Sequence, residues 1–509
     1  MGMVGPSPAS GSSCATCLRK FSVHFRRPYK VGEKPRLNPN SYILKYNGEY
    51  GFDWLRDEYI YALTETGISN VKNTILKQSN DPRVIQNLKL NYTSGVNKIV
   101  VFGTEYIPAH LAIFATNVKK ADPNASTTIN RDGALLSIEI HQLAGDDSTP
   151  LPSNDGTELI FETTDPVIKI STKTGKEKQN KVIIPLSIFI KKQSIRDLGR
   201  SVNPRKFYLT EDILKITCEE ATTKGGAVIV KARKIGNPKE EVVGILHVAA
   251  NNIVPKARIC LVNLRVNKNP VYQPIGLEYR LKYQGFNQAL VRAEVVKSDD
   301  FDIGDLYLKY KSKDLGDFLD KYFNNARVPN DINSVVHYDL GEDFKRDVCK
   351  LYEKYRKINL INSDNTKETY VFFSNIRFEK PSNSVGTVSR LLGSAVRGRE
   401  VGSGSTVKWG NSVILTRDGS TDLETVVHEI LHSFGVTHVF DKDANNNRDF
   451  SFHKGFTDNF MDYQDTDHKG KSKFAFEPAH NTIKKSTPSN QNSLLRCQWI
   501  MLRKDRSVH

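Results

Sequence analysis

The sequence predicts a multidomain chain, with a β-sandwich-rich amino-terminal region followed by a mixed α+β domain. Three observations carry this. At 509 residues the chain exceeds what one ordinary core organises. Between about 90 and 270, β-branched runs of strand length alternate with turn-formers. After about 280 helical periodicity enters, and the order becomes strand, helix, strand, strand.

Residues 1–45 are rich in Gly, Ser and Pro and then basic, without sustained periodicity, and read as an extension. Residues 46–275 form the β-rich region, one or two sandwich-like domains. Its strand candidates are VNKIVVFG (96–103), GALLSIEIHQL (133–143), KVIIPLSIFI (181–190), AVIVKAR (227–233), EVVGILHVAA (241–250) and ARICLVNLRV (257–266). Asn154-Asp-Gly156, Gly225-Gly226 and Gly236-Asn-Pro238 separate them as hairpin turns do. Residues 285–509 make the α+β domain. Leu290–Val296 and Tyr370–Phe378 read as strands, Gly393–Gly410 as a glycine-rich loop and Ser412–Thr416 as a strand. Phe344, Val348, Leu351, Tyr352 and Tyr355 recur at helical spacing. Leu495, Trp499 and Leu502 predict a terminal helix with a structural role.

Composition narrows the function classes. Hydrophobic residues are 38% and charged residues 26%, enough apolar surface for folded domains. The formal charge of +16 comes from dispersed Lys and Arg, as in Lys173–Lys181, without the clustered basic residues and interleaved aromatics of a nucleic-acid surface. No nucleic-acid partner is expected. No window approaches about 20 apolar residues, so no membrane-spanning segment is expected. The first residues lack the pattern of a signal peptide, which predicts a soluble protein made in the cytoplasm and, if exported or injected, moved by a non-classical route. The six cysteines (Cys14, Cys17, Cys218, Cys260, Cys349, Cys497) are too scattered for a disulfide framework and are expected reduced. Cys14 and Cys17 form a CxxC with no second pair to complete a four-thiolate site.

The chemistry concentrates in one segment. Thr421-Asp-Leu-Glu424 fits a capping box that starts a helix. Leu423, Val426, Val427, Ile430, Leu431 and Phe434 supply its apolar stripe, and Gly435 stands where a left-handed residue ends it. His428 and His432, four apart, stack on one face within reach of one cation. Glu429 adjoins the first of them, where a carboxylate can take a proton from a water. His438 follows beyond the turn. Three imidazoles with an open fourth position describe a catalytic Zn²⁺ site better than a closed structural one.

The string His428-Glu-Ile-Leu-His432-Ser-Phe-Gly435-Val-Thr-His438 resembles the metzincin signature HExxHxxGxxH. Asn459-Phe-Met461-Asp-Tyr463 is similar to the methionine turn of that family, 23 residues after His438. The pairing of the two is closest to the pappalysin type, from which Val439 departs, since Thr often follows the third histidine there. The resemblance implies a zinc metalloendopeptidase acting on protein or peptide substrates. His428, His432 and His438 would be ligands and Glu429 the general base. Met461 would be the hydrophobic floor, and Tyr463 a ligand or oxyanion partner, with core packing as its alternative.

Tyr46–Glu58 (YNGEYGFDWLRDE) and 286–295 (FNQALVRAEV) are similar to regions of predicted toxins injected by contractile, type VI-like secretion. This implies a delivery or targeting role for the amino-terminal region, a secretion-apparatus partner and an immunity protein. Substrate-binding modules, or a pro-region in which Cys14 or Cys17 caps the zinc, are alternatives. So is a structural or adaptor component of a secretion apparatus with a vestigial or latent zinc domain. Asp441–Asp449 places oxygen side chains at alternate positions as Ca²⁺ loops do. It lacks the central glycine and closing glutamate, so a solvated turn is favoured over calcium. His453, His468 and His480 are expected at the surface.

Overall fold

The computed structural model describes residues 18–28, 46, 48–61, 74–96, 98–116, 133–173, 175, 177–196, 198, 203–323, 335–337, 341–356, 367–381, 388–396, 411–441, 450–454, 457–463, 475–477, 482–484 and 491–509. Cys14, Cys17, His468, His480, residues 442–449 and most of the 1–45 extension lie outside the described residues.

The amino-terminal region is β-rich, as expected. One sheet runs in the order Phe21–Arg26, Ala134–Gln142, Arg205–Cys218, Gln193–Arg196, with Ile168–Thr172 also paired to Arg205–Cys218. The other runs Gly51–Asp53, Ala109–Ala112, Glu241–Val248, Gly226–Lys234, Thr157–Thr163, Lys181–Pro185. Pairing in both is antiparallel except between Ala109–Ala112 and Glu241–Val248. Alternate residues of the two sheets, among them Leu136, Ile138, Ile140, Val228, Val230 and Ala232, share one buried core. Gly244 sits at a close approach of the two layers, because a Cβ there would lie 2.2 Å from the Val23 carbonyl oxygen.

The run at 257–266, grouped above with these strands, belongs elsewhere. As Lys256–Arg265 it lies inside a second body, a sheet ordered Arg292–Asp302, Lys256–Arg265, Glu368–Ser374, Asn411–Leu415, Gly393–Val396. The first four strands are parallel and the last antiparallel. Both faces are covered. Cys260, Val262, Leu264, Tyr370, Phe372 and Ile414 pack with the helices Lys313–Phe323 and Gly341–Tyr355. Ile259, Leu261, Val371, Phe373, Val413 and Leu415 pack with the helices Leu423–Ser433 and Arg496–Lys504. A strand covered on both faces is apolar on both, so its composition does not distinguish it from a sandwich strand.

Other expectations are corrected in detail. Gly393–Val396, read as part of a loop, is the antiparallel edge strand. Tyr370–Phe378 divides at Asn375 and Ile376 into Glu368–Ser374 and Arg377–Pro381, and the latter joins a small sheet with Val335–His337 and Val388–Leu391. KVIIPLSIFI ends as a strand at Pro185 and continues as a 3-10 turn, Leu186–Ile188. The helices Ile303–Tyr310 and Lys313–Phe323 were not anticipated, although Asp302 caps the first by accepting from the Asp305 amide at 2.9 Å. Among the described residues no helix is long and apolar enough to cross a membrane.

The two bodies meet along a tight seam. A Cβ at Gly51 would lie 2.2 Å from the Gln288 carbonyl oxygen. Asp53, 2% exposed, accepts from the Arg496 amide at 2.7 Å and the Tyr92 hydroxyl at 3.3 Å, and so caps the terminal helix from the other body. Burial raises the Asp53 carboxyl from its ordinary 3.8 to about 6, partly offset by the Arg496 amide and the Arg56 charge. Between those values the folded chain keeps a proton that the unfolded chain has lost, so stability falls as pH rises through this window. The loss is about 3 kcal/mol. Asp53→Asn keeps an acceptor and cannot ionise. Its unfolding free energy in urea is therefore expected to gain on wild type by about that amount between pH 4 and pH 7, and a gap independent of pH would refute the assignment.

Candidate metal centre

The helix Leu423–Ser433 carries the first two histidines. Its N-cap is Asp422, one residue later than the Thr421 expectation, accepting from the Thr425 amide at 3.3 Å. Either residue type can cap, and an aspartate also complements the helix dipole. Val426, Val427, Ile430 and Leu431 are buried against the sheet, which leaves His428 and His432 on the opposite side. Gly435 has φ 78°, the left-handed conformation expected of it, and the Val436 amide closes the turn on the Leu431 carbonyl at 3.2 Å. That reversal brings His438 back over the helix.

The three imidazoles converge. His438 Nε2 lies 3.2 Å from His428 Nε2 and 2.9 Å from His432 Nε2. Each ring is held by its other nitrogen. His428 Nδ1 donates to the Phe460 carbonyl at 2.8 Å, His432 Nδ1 to the Val436 carbonyl at 2.8 Å and His438 Nδ1 to the Asp441 carboxylate at 2.7 Å. None of these acceptors has a hydrogen to give. Each Nδ1 therefore carries the proton and each Nε2 presents a lone pair to the same point. Three lone pairs so close repel one another unless a cation lies between them. A tetrahedral ion with metal–nitrogen bonds of about 2.0–2.1 Å spaces its ligands roughly 3.3 Å apart, close to the spacing found. Burial holds His428 at about 3 and His432 at about 4, helped by the neighbouring histidines, so both rings are neutral in ordinary buffers, as metal ligands must be. The group can hold a metal ion, and it is the one such group of three among the described residues.

The other expected residues gather around this point. Met461 is fully buried in the core beneath the helix, and its amide donates to Asn459 Oδ1 at 2.8 Å. Tyr463 is not a core residue. Its ring is 38% exposed and stacks on His428 at 5.1 Å, and its hydroxyl is 3.0 Å from His438 Nε2. Glu429 is half-buried on the wall of a cleft of about 480 Å³ that also includes Leu392, Gly393, Lys454 and Tyr463. Desolvation pushes its carboxyl up to about 7, offset in part by the charge of Lys345, whose Nζ donates to Ser394 Oγ at 2.7 Å on the edge strand.

Some residues of the site carry no mark in the sequence. Gly393 presses so closely on Glu429 that a Cβ there would lie 2.7 Å from its Cγ. Gly393→Ala is accordingly expected to displace the Glu429 side chain while leaving metal binding by the three histidines, read by titration with Co²⁺, unchanged. An unmoved Glu429 in a crystal structure of the variant would show that the carboxylate has room. Asp441, weighed above as the first oxygen of a calcium loop, orients His438, and its offset of three residues from that histidine was the available signal. The rest of that loop lies outside the described residues. His453 is half-buried, and its amide donates to the Ile75 carbonyl at 2.8 Å. Cys218, Cys260 and Cys349 are buried and Cys497 is half-buried, and none of these four forms a disulfide.

No protein-family model matches the chain, and no curated protein matches it in sequence.

Proposed function

We propose that the chain is a zinc-dependent endopeptidase of the metzincin type, close to the pappalysins, with His428, His432 and His438 as the zinc ligands. The observation that carries this reading is the convergence of three Nε2 lone pairs, each fixed by an Nδ1–H bond, beside a half-buried carboxylate in an open cleft. When bound, zinc supplies Lewis acidity toward a carbonyl oxygen and makes a water in the cleft acidic.

The chain's own residues supply the rest. Glu429 takes a proton from the attacking water as its oxygen adds to the scissile carbonyl carbon, then delivers it to the amide nitrogen as the C–N bond breaks. The Tyr463 hydroxyl donates a hydrogen bond to the oxyanion. Gly393–Val396 is the last strand of its sheet among the described residues and adjoins Glu429, so an extended peptide can lie alongside it as a further strand. That arrangement favours an unfolded or loop segment of a protein as substrate.

The test is zinc content together with cleavage of an unfolded protein, comparing wild type with Glu429→Ala. Zinc in both and cleavage only by wild type supports the reading. Zinc in both and cleavage by neither points to the structural or adaptor role with a latent zinc domain.

A further inference from the structure

The segment that ends in the methionine turn is gripped by the amino-terminal region. Arg27 and Arg56, each with 4% side-chain exposure, both pair with the Asp458 carboxylate. Arg56 Nη2 is 3.0 Å from Oδ1, and Arg27 Nη2 contacts Oδ2. Both guanidiniums lie over the Trp54 ring, at 5.4 and 4.5 Å from its centroid, so their orientation is set by an aromatic platform. Trp54 and Arg56 belong to the aromatic and acidic string at 46–58, to which the proposed hydrolysis assigns no part.

Asp458 passes this grip toward the metal centre. Its carbonyl accepts from the amides of Asn492 at 2.9 Å and Ser493 at 3.1 Å, and its Oδ1 also accepts from Ser493 Oγ at 2.8 Å. Two residues on, the Phe460 amide donates to the Ser493 carbonyl at 2.9 Å, and the Phe460 carbonyl is the acceptor that orients His428. A second strap reaches another ligand. The Lys77 amide donates to the Ser451 carbonyl and the His453 amide to the Ile75 carbonyl, each at 2.8 Å. Lys77 Nζ donates to the carbonyl of Phe440 at 2.6 Å, and the Phe440 ring stacks on His438 at 4.5 Å.

From these contacts we infer that Arg27 and Arg56 are positioning residues for the metal centre, and that the amino-terminal region is a standing support of the site and not a cover removed to expose it. The inference rests on the reading of the three histidines as metal ligands. A carboxylate between two buried guanidiniums is held in one place. Removing one cation frees the turn that fixes the Phe460 carbonyl, and His428 then loses the partner that sets its tautomer and aim.

The experiment uses the full chain loaded with Co²⁺, reading affinity by chelator competition and ligand geometry by the visible spectrum. Arg56→Gln and Asp458→Asn are expected to weaken binding by about 10- to 100-fold and to alter the Co²⁺ bands, with Arg56→Lys in between. Val228→Ala, in the sandwich core, is the control that lowers the melting temperature alone. If Arg56→Lys, Arg56→Gln and Asp458→Asn behave like that control, with wild-type affinity and spectrum, the positioning role is overturned. If wild type and His428→Ala bind Co²⁺ alike, the metal reading itself fails, and the inference with it.

Discussion

Glu429→Ala is expected to retain about one zinc per chain and to lose about 10³-fold or more in kcat/KM, the scale of a lost general base. The separation of binding from turnover follows from geometry. Glu429 is not among the converging nitrogens, and the three histidines are oriented by Phe460, Val436 and Asp441 through hydrogen bonds in which it takes no part. Its removal leaves the three histidines and their Nδ1 partners in place. It does remove the carboxylate that burial has pushed up to about 7, which makes it a stronger proton acceptor than an exposed glutamate. Glu429→Gln keeps the shape without the basicity and should be equally inactive. A glutamine variant with near-wild-type turnover would assign the proton transfer to another group, and loss of zinc from either variant would make Glu429 part of the metal's support.

A chain beginning at residue 285, the start of the α+β domain as the sequence alone divides it, is expected not to fold. It lacks Lys256–Arg265, which lies between Arg292–Asp302 and Glu368–Ser374 in the interior of the sheet. Ile259 and Leu261 would be missing from one core and Cys260, Val262 and Leu264 from the other. At about 1.5–3 kcal/mol for each large apolar side chain, the loss is roughly 10 kcal/mol, as large as the whole stability of an ordinary domain. The carboxyl terminus would lose its anchor too, since the Lys256 amide donates to the His509 carbonyl at 2.7 Å and Ala257 bridges Val508. Circular dichroism and a urea titration decide this. A fragment 285–509 that melts cooperatively and binds zinc would show that the strand is dispensable.

The grouping of the three histidines was legible because it is local. Helical periodicity places His428 and His432 on one face, Gly435 reverses the chain, and the reversal carries His438 back to them, all within eleven residues. The β character of the first half was legible for the same reason, because alternation and turn chemistry act over a few residues. Which strand belongs to which sheet is a different kind of fact. Lys256–Arg265 is as apolar as its predecessors, and its pairing with Arg292–Asp302 on one side and with Glu368–Ser374, more than a hundred residues away, on the other places it in the second body. Arg27 and Arg56 are farther still from Asp458 in the chain, and Gly393 reaches Glu429 from an edge strand that reads as a loop. The sequence by itself determined the three converging histidines, the adjoining carboxylate and the turn that gathers them, since short-range geometry suffices. Only the tertiary structure decided what holds them still, because those partners come from distant segments whose contacts leave no periodic trace.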